Sequence, residues 1–283
     1  MKIGCNYINE LTVLGIYRNI DYVKVPSFCS ELTGLDWIKN VGKDMIFHGF
    51  AEFGPNIGNP DFIKKLDVES VKRYIKDTNT EYLSVHFDMD SIYYKKIEKN
   101  EIELSEIIKM VTSNINFLRK EFNLEVHIEN VSAKNGRPEC FFNPDVITEV
   151  IRKTNCNFLF DLSHAITSAG YYDISVYDYI KKLPMFTVKE IHVSGTLMNK
   201  EKKLIDSHTR LVRRDYKIIE SLLDKFKNID KITLEYTPLY DKQKDTKKKF
   251  FVTSRDNVNV VVFLNLLFQL KKLKKILKHL RNH

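Results

Sequence analysis

The chain is poor in cysteine. Cys5, Cys29, Cys140 and Cys156 are scattered over 283 residues and form no CxxC pair. That excludes a disulfide framework and a thiolate zinc site, and it points to a reduced, cytoplasmic protein. Long apolar runs are absent too. The longest, "VVVFLNLLFQL" (Val260–Leu270), has 11 residues, against about 20 needed to span a bilayer. The start, "MKIGCNYI", lacks the apolar core of a secretory signal. Glycine and proline are sparse, 10 and 7 residues, and no Pro/Gly-rich linker divides the chain. The one glycine-bearing turn segment, "GPNIGNP" (54–60), does not have the spacing of a phosphate loop. No internal repeat is visible.

A net positive charge is missing from most of the molecule. Residues 241–283 hold 12 Lys/Arg against 3 Asp/Glu, a net of +9, which leaves −1 for residues 1–240 out of the overall +8. A nucleic-acid-binding body shows a basic face, so nucleic acid is an unlikely partner for residues 1–240. The tail has a charged segment, "DKQKDTKKK" (241–249), and then a helical pattern in two halves. Val258–Leu270 has the character of a last barrel helix. "KKLKKILKHLRNH" sets Leu273, Ile276, Leu277 and Leu280 on one face. That stripe completes a barrel wall, or else docks an acidic partner or an anionic membrane surface.

What the chain does have is eight short β-rich segments: residues 2–8, 22–28, 44–50, 81–87, 124–130, 157–163, 189–195 and 231–237. Stretches with helical spacing separate most of them, such as "LSEIIKMVTSNINFLRKEF" and "NPDVITEVIRKT", whose Asn143–Pro144 has the form of a cap and first helical residue. Strand and helix in alternation specify a parallel sheet. Eight units in this length predict an α/β fold, a closed (β/α)8 TIM barrel, which takes roughly 250 residues. The expected organisation is a catalytic body over 1–240, with 241–283 as a charged loop and a basic C-terminal helix packed on it.

In such a barrel the site lies at the carboxyl ends of the strands. Reading the polar residues there gives His48, His86, Glu129, Asp161, His164, His192 and Glu235, with Asp206 and His208 from the loop "LIDSH". Five of the eight histidines thus fall on one rim. One buried imidazole or acid is ordinarily a satisfied core group, but nine on one rim predict a multinuclear metal centre. Nitrogen and oxygen donors without thiolate point to iron, zinc or manganese, and nine ligands suit two or three ions. Glu129 is the candidate bridge. His127 is expected one layer deeper, Glu190 as a supporting partner of His192, and His279 and His283 in the solvated tail.

These residues resemble two families of xylose-isomerase-like barrels. "DLSHAITSAGYYD" (161–173) and "LEYTP" (234–238) are similar to segments of endonuclease IV, with its trinuclear site. The multinuclear non-heme iron-dependent oxidative enzymes are resembled more widely, in "FHGF" (47–50), "LSVHFD" (83–88), "HIENVSA" (127–133), "FLFDLSHAITSA" (158–169), "KKLPMFTVKEIHVSG" (181–195) and "LIDSHT" (204–209). The likeness covers roughly residues 45–237. Ser163–His164 stands where that family more often has Asn-Asn. The segment after "LIDSH" lacks the glycine-rich sequence of endonuclease IV. The second resemblance implies a metal-dependent oxidoreductase with two or three iron ions (Fe2+/Fe3+) held by the nine residues. It would use O2 to modify a residue, cysteine in the first place, of a ribosomally synthesised precursor peptide, and would work with a separate leader-binding partner protein docked on the basic tail. The alternatives are a trinuclear zinc phosphodiesterase acting on abasic DNA, as the first resemblance implies, and a metal-dependent sugar isomerase of the same barrel type.

Overall fold

The computed structural model describes residues 1–12, 15–27, 38–134, 136–237 and 259–281. The segment 241–249 therefore lies outside the described residues, as do Cys29 and His283.

Eight strands line up in one parallel sheet: β1 (Lys2–Asn6), β2 (Tyr22–Pro26), β3 (Asp44–His48), β4 (Tyr82–His86), β5 (Glu125–Glu129), β6 (Asn157–Asp161), β7 (Val188–Val193) and β10 (Lys231–Leu234). Their order is β3-β2-β1-β10-β7-β6-β5-β4. The ends of that order, β3 and β4, are brought together without a regular ladder. The Gly49 amide donates to the Ser84 carbonyl at 2.9 Å, and the Phe47 amide donates to Thr80 Oγ1 at 3.0 Å. The result is a nearly closed TIM barrel, and each of the eight segments expected from the sequence contributes one strand.

Side chains alternate across each strand, and here the alternation sorts by chemistry. One set is apolar: Val23 and Val25, Leu83 and Val85, Val126 and Ile128, Phe158 and Phe160, Ile191 and Val193. These join the large core shared with the helices. The other set faces the barrel axis and is mostly polar: Tyr22 and Lys24, Ser84 and His86, His127 and Glu129, Glu190 and His192, Thr233 and Glu235. Barrel interiors are usually filled by Val, Ile and Leu, so this one is built for something other than packing. Gly4 on β1 makes room for it: a Cβ there would lie 2.2 Å from the buried ring of Tyr22.

The helices follow local signals. α1 (Val68–Thr78) is capped by Asp67, whose side chain accepts from the Ser70 amide; α2 spans Leu104–Phe122; α3 (Pro144–Thr154) starts on the Asn143 cap. All three end on an asparagine with φ near 50° (Asn79, Asn123, Asn155) before the chain turns back toward a strand. α4 (Leu162–Tyr171) begins directly at the end of β6, and α5 (Val176–Lys182) follows it. The segment "LIDSH" (204–208), expected as a loop, lies in a hairpin of β8 (Gly195–Met198) and β9 (Leu204–Thr209). α6 spans Arg213–Lys225.

The C-terminal pattern forms one uninterrupted helix, α7 (Val260–Arg281), not two halves. Leu266, Leu270, Leu273 and Leu277 bury one face of it, with Ile276 and Leu280 half-buried beside them. The apolar stripe therefore completes the wall. Its solvent face carries Val260, Val261, Leu264 and Phe268, then Lys271, Lys275 and Lys278.

Candidate metal centre

All nine rim residues converge at the carboxyl end of the barrel, around the carboxylate of Glu129. It closes β5 and is almost fully buried. Its Oε2 lies 3.3 Å from His48 Nε2 and 3.6 Å from His86 Nε2. Its Oε1 lies 3.4 Å from His192 Nδ1 and 3.7 Å from His164 Nδ1. Glu235, one residue past β10, places Oε1 3.0 Å from His192 Nδ1 and Oε2 3.7 Å from His208 Nδ1. Asp206, on β9, receives two imidazoles at Oδ2: His164 Nε2 at 3.2 Å and His208 Nε2 at 3.4 Å.

The segment Phe158–His164 explains itself in these terms. Asp161 ends β6 and serves as the N-cap of α4, where its Oδ1 accepts from the His164 amide at 2.7 Å. The first turn of α4 then swings His164 back over the rim. Its Nδ1 is 2.7 Å from the Asn130 carbonyl, which makes Nδ1 the protonated nitrogen and leaves Nε2 for the site. Ser163 Oγ sits 2.8 Å from both Asp161 and Asp206.

Four carboxylates and five imidazoles share this space. Burial resists charge on every one, yet the acids prevail at three histidines. Burial lowers His192, but Glu235, Glu129 and Glu190 more than reverse this and raise it well above its usual range. Against the same opposition, Asp161 and Asp206 raise His164 to about 10, and Asp206 and Glu235 raise His208 to about 9. His48 is lowered by burial to about 3. Asp161 is pushed by burial up to about 6. Such a field calls for positive charge.

The unsatisfied atoms say where. Glu129 Oε2, Asp161 Oδ2 and His192 Nδ1 are buried and make no well-directed hydrogen bond, although Glu235 Oε1 is near the last of these. Each such group costs roughly 1–3 kcal/mol. They belong to three overlapping ligand sets: His48, His86 and Glu129; His48, His192 and Glu235; Glu129, Asp161 and His192. The donor atoms of each set lie within 4.8 Å of one another. Glu129, His48 and His192 each serve two sets. His164, Asp206 and His208 form a further corner. The donors are nitrogen and oxygen throughout, which fits borderline divalent ions.

Of the groups that orient the candidate ligands, the sequence singled out Glu190 but not Ser84 or Asn130. Ser84 Oγ lies 2.8 Å from His48 Nδ1, and Asn130 anchors His164. Glu190 Oε1 lies 3.2 Å from His192 Nε2. The available signal is the i−2 position on each ligand strand: Ser84 under His86, His127 under Glu129, Glu190 under His192. His127 is indeed one layer down, stacked on Tyr82 with ring centroids 4.0 Å apart. His279 is exposed on α7.

Over the centre opens a cavity of about 1580 Å³. Its walls include the hairpin residues Lys203 to His208, Val131 to Lys134, and Arg137. Arg137 is held there by Asp88 at 2.6 Å. Among the described residues no helix is long and apolar enough to cross a membrane.

Known proteins place this geometry. A UPF0276 protein of Psychromonas ingrahamii is 26% identical over 196 residues, 66% of this chain and 67% of that protein. One from Rhizobium meliloti is 31% identical over 104 residues, which spans only 34% of its length. Among solved structures, D-psicose 3-epimerase crystallised in the presence of D-fructose matches with a TM-score of 0.67 at 11% identity, covering 98% of this chain and 99% of that one. Endonuclease IV from Thermus thermophilus matches with a TM-score of 0.53 at 12% identity, covering 95% and 99%. At these identities the structures establish the shared xylose-isomerase-like barrel. The family model described as RiPP precursor modification enzyme MbnB/TglH/ChrH matches residues 31–247, and the chain belongs to that family of enzymes that modify ribosomally synthesised precursor peptides.

Proposed function

We propose that this protein is a multinuclear iron enzyme that uses O2 to oxidise a residue, in the first place a cysteine, of a precursor peptide. The carrying observation is the Glu129-centred cluster of imidazoles and acids in a chain of this family. His48, His86, Glu129, Asp161, His192 and Glu235 would hold two ions, and His164, Asp206 and His208 would complete a third position. When bound, iron supplies the one-electron redox chemistry with O2 and a seat for a substrate thiolate.

The chain's own residues do the rest. Asn130 and Ser84 fix the rings of His164 and His48. The apolar strand faces keep bulk water from the base of the centre, where His192 and Asp161 are fully buried. The cavity exceeds the roughly 300–1,000 Å³ usual for small-molecule sites, which supports a peptide segment as the occupant. O2 enters as co-substrate. A separate leader-binding partner would dock outside the cavity, and the basic end of α7 is the candidate surface.

The test is metal content and oxidation state. Anaerobically purified protein should contain two or three irons per chain by elemental analysis, with a Mössbauer spectrum of coupled ions. Stoichiometric zinc, with cleavage of an abasic-site duplex, would overturn this reading in favour of the phosphodiesterase. For the docking surface, removal of residues from Lys271 onward should weaken binding of the partner or precursor; unchanged binding and turnover would end that part.

A further inference from the structure

Beneath the metal centre lies a second polar layer. Glu190 and Lys24 are both fully buried and paired at 2.7 Å. Burying two charges costs several kcal/mol per ion unless both are fully satisfied, and Glu190 is. Its Oε2 accepts from Lys24 and from the Tyr82 hydroxyl. Its Oε1 accepts from the Thr233 hydroxyl, with the Tyr22 hydroxyl at 3.3 Å and His192 Nε2 at 3.2 Å. Four donors from four strands meet on one carboxylate, and the Tyr22 hydroxyl backs them by donating to Thr233 Oγ1 at 2.6 Å.

We infer that Glu190 is a positioning residue for the metal centre, and that Lys24, Tyr22, Tyr82 and Thr233 exist to hold it as an ionised acceptor under His192. The deduction concerns protons. A carboxylate that already accepts from an ammonium and the hydroxyls of Tyr82 and Thr233 has only acceptor capacity left. His192 Nε2 must therefore carry the hydrogen and donate it downward. When a metal ion takes the place of the second proton, the lone pair that meets it sits on Nδ1, the buried atom without a well-directed partner that faces Glu129 and Glu235. An anionic acceptor behind an imidazole makes it a stronger donor to a cation and fixes its angle. The layer's composition follows from that task. A packed barrel interior needs aliphatic side chains; here Lys24, Tyr82 and Thr233 instead end on Glu190, and Tyr22 reaches it through Thr233. His127 extends the layer by stacking on Tyr82.

This inference rests on the metal-centre reading, and a titration with Co2+ separates the two. Metal-depleted protein is titrated with Co2+ without oxygen, and affinity and visible ligand-field bands are followed. Wild type should take up two or three equivalents. Glu190→Gln keeps the shape but not the charge. It should bind one equivalent about 10- to 100-fold more weakly, with shifted bands, while the remaining equivalents are unaffected. Tyr82→Phe removes one donor and should give a smaller change in the same direction. A purely structural Glu190 predicts a lower melting temperature with wild-type affinity and bands, and that result overturns the inference alone. If Glu190→Gln does not fold, Tyr82→Phe decides: weaker binding with shifted bands supports the role, wild-type behaviour removes it. Failure of wild type to take up Co2+ would overturn the metal centre and this role together.

Discussion

At the scale of single residues, Glu129 and His208 carry opposite kinds of information. Glu129 touches four imidazoles through its two oxygens, which is why it is the proposed shared ligand. Glu129→Ala should lose more than one metal equivalent by elemental analysis, and loss of a single equivalent would refute bridging. His208 is marked by its backbone. Its φ is +47°, a left-handed conformation that costs an ordinary residue roughly 1–2 kcal/mol. The conformation persists because it turns the ring between Asp206 and Glu235, a pattern typical of strain kept at functional sites. Asparagine tolerates this region well. His208→Asn should therefore leave the thermal midpoint unchanged or slightly higher while metal content falls. A clearly lower midpoint would mean that the ring, not the site, is what the conformation serves.

At the scale of elements, the hairpin β8–β9 deserves separation from the barrel. It brings Asp206 and His208 to the rim from outside the main sheet. Its first residue, Gly195, sits where a Cβ would lie 2.3 Å from the Arg210 carbonyl oxygen, a backbone atom that cannot step aside cheaply. Gly195→Ala should displace the hairpin and leave the eight-stranded sheet in place. The expected result is loss of the metal equivalent held by Asp206 and His208, with near-native far-UV circular dichroism; full metal content would show that the hairpin adapts. This element also marks the limit of what the sequence tells. The eight strands and α1, α2, α3 and α6 were legible because each carries its own period and caps. The rim histidines were legible because they end apolar runs. The hairpin was not, since "GTLM" and "LIDSHT" are short and alternate weakly. α4 was hidden for a different reason: Leu162 to Ala169 are all buried, so no polar face shows a helical period. The Glu190 layer was half visible as an i−2 pattern, but Lys24 and Tyr22 on β2, separated from β7 by β1 and β10, give no local sign of their destination.

At the scale of the whole molecule, the barrel is apolar outside and polar inside. Helices, α7 among them, supply the stability that an ordinary barrel also draws from its interior. The interior instead concentrates acids: Glu129, Asp161, Glu190, Asp206 and Glu235 share one axis with Lys24, the one fully buried lysine among the described residues. Cations at the rim should thus stabilise the fold as a whole. A ligand present at about 100 times its dissociation constant adds about 2.7 kcal/mol per site. For chains slightly smaller than this one, each kcal/mol moves the midpoint by about 2–4 °C. Chelation should therefore lower the thermal midpoint by roughly 5–10 °C for one site, and by more if several empty together. Re-addition of the metal should restore it. Glu129→Ala, which removes the shared ligand, should flatten this response, because the metal-free and metal-treated proteins then carry nearly the same load. A midpoint indifferent to chelation in wild type would mean that protonated imidazoles alone balance the acids, and the barrel's inverted polarity would then need another cause.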